Sequence, residues 1–188
     1  IAFEENPFLK GLEFLNPLIA YIKNKTQLNI TYQSFKSDEA VIWDLSAYFL
    51  KRYNQRWFLF GQLEGYETIT NLALDRIEKI ELSNSKFIPN ETYDWDEYFD
   101  DMIGVSRPPH GKIEKIVLRF TPDQSPYIKT KPLHGSQKVI DEDQSGLTVS
   151  IEVIPNFELE TLILGFGNLC EVIDPQYFKT LIHSRKLQ

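Results

Sequence analysis

Only one cysteine, Cys170, occurs in the 188 residues. No internal disulfide can form, which fits a reducing, cytoplasmic compartment. Cys170 sits in an apolar stretch, where a buried, unreactive thiol is expected. Histidine is scarce too: His110, His134 and His183 lie far apart, and none has a Cys, Asp or Glu at metal-ligand spacing. No apolar run approaches the roughly 20 residues that a membrane-spanning helix needs. The opening Ile1-Ala2-Phe3-Glu4-Glu5 has neither the basic start nor the long apolar core of a signal peptide. It also lacks an initiator Met, so the chain reads as a piece of a longer protein. Positive charge is short as well, 20 Lys and Arg against 27 Asp and Glu giving −7. That balance argues against sequence-blind binding of nucleic acid over a basic surface, while leaving room for a local basic site.

Catalytic signatures are missing to the same degree. There is no Walker-type Lys-Ser/Thr pair and no Gly-x-Ser-x-Gly elbow. Gly165-Phe166-Gly167 follows a predicted helix, whereas dinucleotide-binding glycines follow a strand, so it reads as a helix stop. The acids between Asp94 and Asp101 lack the glycine and terminal glutamate of a calcium-binding loop. No catalytic residue, metal or cofactor is expected, and the chain reads as a non-enzyme.

What is present centres on Tyr48–Gly61. Two runs rich in aromatic and β-favouring residues meet at Asn54-Gln55, the pattern of a hairpin. Alternation puts Trp57 and Leu59 on one face and Phe58 and Phe60 on the other. With both faces apolar, the hairpin suits a small closed barrel with something packed on its outside. Upstream, Asn16-Pro17 reads as a helix start, with the helix running to near Lys25; residues 1–11 are a lead-in. Strands are predicted at 26–35, 40–44, 48–53, 56–63, 68–74 and 77–82, joined by tight turns. Residues 84–111 carry six acids against two bases, a net of −4. Within them Trp95 and Phe99 are spaced for one face of a short helix, and Ser106–Gly111 reads as extended linker. From Lys112 the order becomes strand 113–120, a helix starting at Thr121-Pro122 or Ser125-Pro126, strands 136–140 and 147–154 across an acidic turn 141–146, a helix capped by Asn156, strand 169–173 and a helix after Asp174-Pro175.

The expected fold class is therefore α+β. A small Sm-like or SH3-type β-barrel with a leading helix would occupy residues 1–83 and the acidic, aromatic linker residues 84–111. A ferredoxin-like β-α-β-β-α-β module with a terminal helix would fill residues 112–188.

Around the central hairpin cluster Lys51, Arg52 and Arg56, and Arg76 arrives one strand later. Guanidinium groups bind phosphate bidentately and stack on aromatic rings, so Arg beside Tyr and Trp can hold a phosphate and a base together. Asp75-Arg76 can equally be a structural ion pair, and Lys51 and Arg52 ordinary exposed strand residues. Both readings stay open on residue chemistry alone.

Arg56-Trp57-Phe58-Leu59 beside Leu74-Asp75-Arg76-Ile77, with Ile30-Thr31-Tyr32 upstream, resembles the WYL domain over roughly residues 15–83. Phe58 stands where that family's name has Tyr, and Ser46-Ala47-Tyr48 stands where a His-Pro-Tyr is usual. The second half resembles the WCX extension in Val117-Leu118-Arg119-Phe120 and Leu133-His134-Gly135-Ser136-Gln137. The resemblance implies the ligand-sensing C-terminal region of a bacterial transcriptional regulator. Such a regulator binds DNA through an N-terminal helix-turn-helix domain absent from this chain and acts as a homodimer. Carried onto this sequence, the ligand site would be Tyr32, Tyr48, Lys51, Arg56, Trp57 and Arg76. The implied ligand is a nucleotide or single-stranded nucleic acid. A rival reading from another class is a protein-interaction and dimerisation module with no small ligand.

Overall fold

The protein is described here by a computed structural model covering residues 9–186. These residues form two compact units, the first ending at Trp95 and the second beginning at Asp96. Each combines one antiparallel sheet with a few helices, an α+β architecture. Most of the lead-in expected at 1–11 lies outside the described residues. No helix among them is long and apolar enough to cross a membrane.

In the first unit a 3-10 turn, Leu12–Phe14, runs directly into α1 (Leu15–Lys23). The helix thus starts ahead of Asn16, which does not cap it. Pro17 falls within the first turn, where a missing N–H leaves no helical bond unmade. Leu18 of α1 is fully buried, and Leu15 and Ile22 pack on the same core. The strands are β1 (Gln27–Tyr32), β2 (Val41–Tyr53), β3 (Arg56–Leu63), β4 (Ile69–Ala73) and β5 (Ile77–Leu82), ordered β4-β3-β2-β1-β5. Asn54 and Gln55 both take positive φ, 44° and 62°, the conformation of a two-residue hairpin turn that follows the strand twist.

Two expectations are corrected by this sheet. The separate strands read at 40–44 and 48–53 are one 13-residue strand, β2, whose first half pairs with β1 and whose second half pairs with β3. Nor does the sheet close into a barrel. No ladder joins β4 to β5; a 3-10 turn, Leu74–Arg76, connects them.

A bulge rather than a break interrupts β2. Ala47 faces Gly61 and Phe49 faces Phe60, leaving Tyr48 as the extra residue. A Cβ on Gly61 would lie 2.5 Å from the Ser46 carbonyl oxygen, so the bulge requires glycine opposite it. The extra residue turns both Tyr48 and Phe49 outward. There residues 83–95 cross the hairpin as a strap. Trp95 stacks on Phe49 with centroids 5.1 Å apart and planes 5° from parallel, and meets the Phe60 edge at 6.0 Å. Phe87 meets Tyr48 edge-on at 5.8 Å. The outer cover anticipated from the two apolar faces is this strap. The short helix pairing Trp95 with Phe99 does not form; residues 95–100 make turns, because stacking on Phe49 commits Trp95 to the first unit.

Polar groups fasten the strap. Ser83 and Ser85 hydroxyls donate to Asp44 Oδ2 at 2.8 and 2.6 Å, and Gln27 Nε2 donates to Oδ1. Ser46 Oγ accepts from the Ile88 N–H at 2.9 Å, and the Tyr48 hydroxyl donates to the Ile88 carbonyl at 2.7 Å. Burial alone would push the Asp44 carboxyl up, but the bonds from Ser85, Gln27 and Ser83 outweigh it and hold it below the usual 3.8. A carboxyl with a depressed folded pKa contributes stability above its unfolded pKa, about 3.9, and loses that contribution as pH falls through the folded value. Denaturant midpoints are therefore expected to fall more steeply below the unfolded carboxylate pKa, about 3.9, in the native chain than in Asp44→Asn. Equal slopes would show that Asp44 is not part of the acid response.

The second unit runs β6 (Glu114–Phe120), α2 (Ser125–Thr130), β7 (Lys138–Asp143), β8 (Gly146–Val153), α3 (Phe157–Gly165), β9 (Cys170–Asp174), α4 (Gln176–Lys186). The sheet order is β7-β8-β6-β9, antiparallel throughout. Each β-α-β crossover thus skips over a strand, and the element order matches the one read from the sequence. One boundary is corrected. Asp141–Asp143, expected in a turn, belong to β7, where they pair with β8 and meet cations from β6 and α2. Arg119 meets Asp143 at 2.7 Å and Lys129 meets Glu142 at 2.8 Å, leaving Gln144-Ser145 to turn the chain. Cys170 is buried, and burial pushes its thiol up to about 12, so it stays protonated and inert. Tyr98, Met102 and Val105 are buried ahead of the sheet, and Arg107 lies over the Tyr98 ring at 4.8 Å. The expected extended linker instead contains a turn, closed by the Gly111 N–H on the Pro108 carbonyl at 3.1 Å with His110 at φ 58°.

Candidate functional site

The hairpin separates its cations by strand alternation. In the β2–β3 register Leu50 faces Leu59 and Arg52 faces Trp57, while Lys51 faces Phe58 and Tyr53 faces Arg56. Leu50, Leu59 and Trp57 pack in the core. Lys51, Tyr53, Arg56 and Phe58 therefore share the outer face, on the same side as Phe49 and Phe60. Lys51 and Arg56 come together on that face near the turn; Arg52 falls on the other.

Arg76 reaches the same end of the sheet by a different route. Phe58 of β3 faces Ala73 of β4, so two residues further along the register Arg56 comes opposite Asp75 in the 3-10 turn. Arg56 Nε lies 3.8 Å from Asp75 Oδ2, beyond hydrogen-bond length, and the Arg56 side chain stays 47% exposed against 13% for Asp75. The guanidinium of Arg76 lies over the ring of Phe35, 4.3 Å from its centroid. Phe35 itself is 73% exposed. Arg76 Nε and Asp75 Oδ1 are both buried with no hydrogen-bond partner among the described residues.

The turn carrying these groups is held on two sides. Gln33 N–H donates to the Arg76 carbonyl at 3.0 Å, anchoring the loop that bears Phe35. Gly11, at φ 84°, lies so close to the Leu74 carbonyl that no side chain fits there. The turn presents the Arg76 guanidinium over an exposed ring, and Arg56 of β3 approaches its Asp75, so this end of the sheet can receive an anion together with a flat group.

The aromatic members of the expected site lie elsewhere. Tyr32 is buried in the core, tilted against Trp43 with centroids 6.1 Å apart. Trp57 is half-buried and packs on the same core. Tyr48 lies under the strap, its hydroxyl engaged by Ile88 and its pKa raised by burial, so it remains a neutral donor. The exposed ring beside the cations is Phe35, which sequence reading placed at a strand end. Its signal was available: a single large aromatic set among Ser34, Lys36, Ser37 and Asp38.

Comparison with known families decides the architecture. Residues 13–82 match the WYL domain model and residues 112–185 match the WCX domain model. The chain carries a WYL domain followed by a WCX domain. The candidate site lies wholly within the WYL domain. Among solved structures the chain is similar to one described as a CRISPR Cas-related protein, at 11% identity and a TM-score of 0.52, covering 94% of this chain and 50% of that one. It is also similar to the proteasome accessory factor B/C (PafBC) of Arthrobacter aurescens, at 14% identity and a TM-score of 0.41, covering 99% of this chain and 28% of that one. The chain thus spans half or less of either structure. No curated protein matches it.

Proposed function

We propose that this WYL–WCX chain is the effector region of a transcriptional regulator, and that its WYL domain binds an anionic ligand, a nucleotide or single-stranded nucleic acid. In this reading the five-stranded sheet is an Sm-like barrel left open between β4 and β5. DNA is bound by a domain outside this chain, and the protein works as a homodimer. The observation that carries the reading is the Arg76 guanidinium over exposed Phe35, with Arg56 held loosely by the neighbouring Asp75. At 3.8 Å the Arg56–Asp75 pair is beyond hydrogen-bond length and Arg56 is half-exposed, so a phosphate can reach Arg56 without breaking a hydrogen bond. Phe35 supplies the stacking surface, Arg56 and Arg76 the phosphate contacts, and Lys51 a further cation on the outer face. The overall charge of −7 confines binding to this patch.

Labelled oligonucleotides and free nucleotides titrated at two salt concentrations test it. Arg56→Ala and Arg76→Ala are each expected to weaken binding about tenfold and to reduce the salt slope by about 0.7 per cation removed. Phe35→Ala is expected to weaken binding with the salt slope unchanged, since stacking releases no counterions. Unaltered affinity in all three, or no ligand response in the native chain with mass that rises with concentration, would overturn the reading in favour of a dimerisation module.

A further inference from the structure

The other end of the same hairpin carries a strand edge that is unpaired among the described residues. Residues 41–46 of β2 pair with β1, but β3 joins β2 only from Leu45 onward. Which backbone groups are left open follows from alternation. Ser83 N–H donates to the Gln27 carbonyl at 3.0 Å, so residues 27, 29 and 31 of β1 direct their backbone toward β5, and 28, 30 and 32 toward β2. Their partners Leu45, Trp43 and Val41 are then spent on β1. Ile42 and Asp44 must point the opposite way. The Glu64 N–H donating to the Asp44 carbonyl at 3.0 Å agrees. Beyond that bond β3 leaves β2, and Tyr66 N–H turns back to the Leu63 carbonyl at 3.1 Å. Among the described residues nothing pairs with the N–H and C=O of Ile42 or the N–H of Asp44, and they border a cavity of about 600 Å³.

That cavity is lined by Val41, Ile42, Trp43, Leu63, Tyr66 and Thr70 together with Asp44, Glu64 and Thr68. Ile42 is 68% exposed, and Val41 and Tyr66 are also exposed. An exposed apolar strand edge with free backbone groups is a template for another strand, one that folded proteins normally cover or charge. The charge here has one sign. No Lys or Arg occurs from Ser37 to Leu50 or from Gly61 to Leu74, whereas Asp38, Glu39, Asp44, Glu64 and Glu67 all do. The cationic patch lies at the far end of β2, about 30 Å of strand away.

We infer that this edge docks a basic, extended peptide segment of a partner protein, which adds as a strand beside Val41–Asp44. Main-chain bonds to Ile42 and Asp44 hold the segment, its alternate apolar side chains enter the groove between Trp43 and Tyr66, and its cations meet Glu64 and Glu67. The surface is independent of the proposed ligand site. Arg56→Ala with Arg76→Ala is expected to leave it unchanged, so failure of either proposal is distinguishable from failure of the other.

The test uses an acetylated heptapeptide alternating lysine with valine, titrated into the native chain and followed by amide shifts and hydrogen exchange. Saturable binding with slowed exchange at the Ile42 and Asp44 amides is expected. Ile42→Pro removes only a donor that the β1 ladder does not use, and is expected to weaken binding at least about tenfold. Glu64→Lys with Glu67→Lys is expected to weaken it similarly. A peptide N-methylated on its pairing face should not bind, a control that leaves the protein untouched should Ile42→Pro fail to fold. Equal binding of a glutamate-valine heptapeptide or of the N-methylated peptide would overturn the proposal. So would protection of the same amides by self-association in the absence of peptide, which would make a second copy the occupant.

Discussion

Trp95→Ala is expected to destabilise the first unit by about 2–3 kcal/mol. The upper end of the range for aromatic truncation, about 5 kcal/mol, applies to fully buried rings, and Trp95 is half-buried. Its loss removes a parallel stack on Phe49 and an edge contact with Phe60, and uncovers both. The strap would then be held mainly by the serine, tyrosine and backbone bonds around Asp44, Ser46 and Ile88. Trp95→Phe should recover more than half of the loss, because a smaller ring can still stack. The measurement is convenient because Trp43, Trp57 and Trp95 are the three tryptophans and all precede Asp96. Tryptophan fluorescence in a denaturant series therefore reports the first unit specifically. A midpoint unmoved by Trp95→Ala would mean that the strap contributes nothing to that unit.

Asn156→Ala is expected to cost the second unit about 3 kcal/mol. Asn156 is 3% exposed, and each end of its amide is used. The carbonyl oxygen caps α3 by accepting the Leu159 N–H at 2.9 Å, while Nδ2 donates to the carbonyls of Ile103 at 2.7 Å and Ser106 at 3.0 Å. Beside it Glu158 Oε1 accepts from the Ser106 N–H at 3.1 Å and from the Ser106 hydroxyl at 2.8 Å. The start of α3 thus organises residues 103–106, and Ala at 156 would leave two half-buried carbonyls and one buried helix N–H without these partners. Asn156→Asp separates the two functions, since aspartate keeps the cap and loses both donors. It should recover only about 1 kcal/mol. Far-UV circular dichroism melts, with hydrogen exchange at Leu159 as the local readout, check both variants. Full recovery by Asp would reduce Asn156 to a helix cap.

The hydrogen-bonding pattern just described was half-legible. Asn156 before an apolar helical stripe announced a cap, and the cap is there. Nothing in the spacing announced Ile103 and Ser106 as its other partners, because they lie about 50 residues away in a segment without periodicity. The hairpin shows the same division. Asn54-Gln55 between aromatic runs fixed the turn, and alternation correctly divided Trp57 and Leu59 from Phe58 and Phe60. The bulge at Tyr48 stayed hidden, since an extra residue in one strand is defined only by its partner, and Gly61 alone gives no register.

The candidate site divides along that line too. The cations Lys51, Arg56 and Arg76 were legible as residue types on adjacent strands, because Arg and Lys stand out against an acidic chain. Which aromatic ring accompanies them was not: Tyr32, Tyr48 and Trp57 are consumed by core and strap, whereas Phe35 projects from a loop. Local sequence determined the packed helices, the strand faces in the hairpin, the order of elements in the second unit and the domain family, because those depend on periodicity and on neighbours within a few residues. Only the tertiary fold decided which rings are covered, how one long strand serves two partners, and where an edge is left open. Those are settled by long-range register and by which surfaces compete for the same apolar cover.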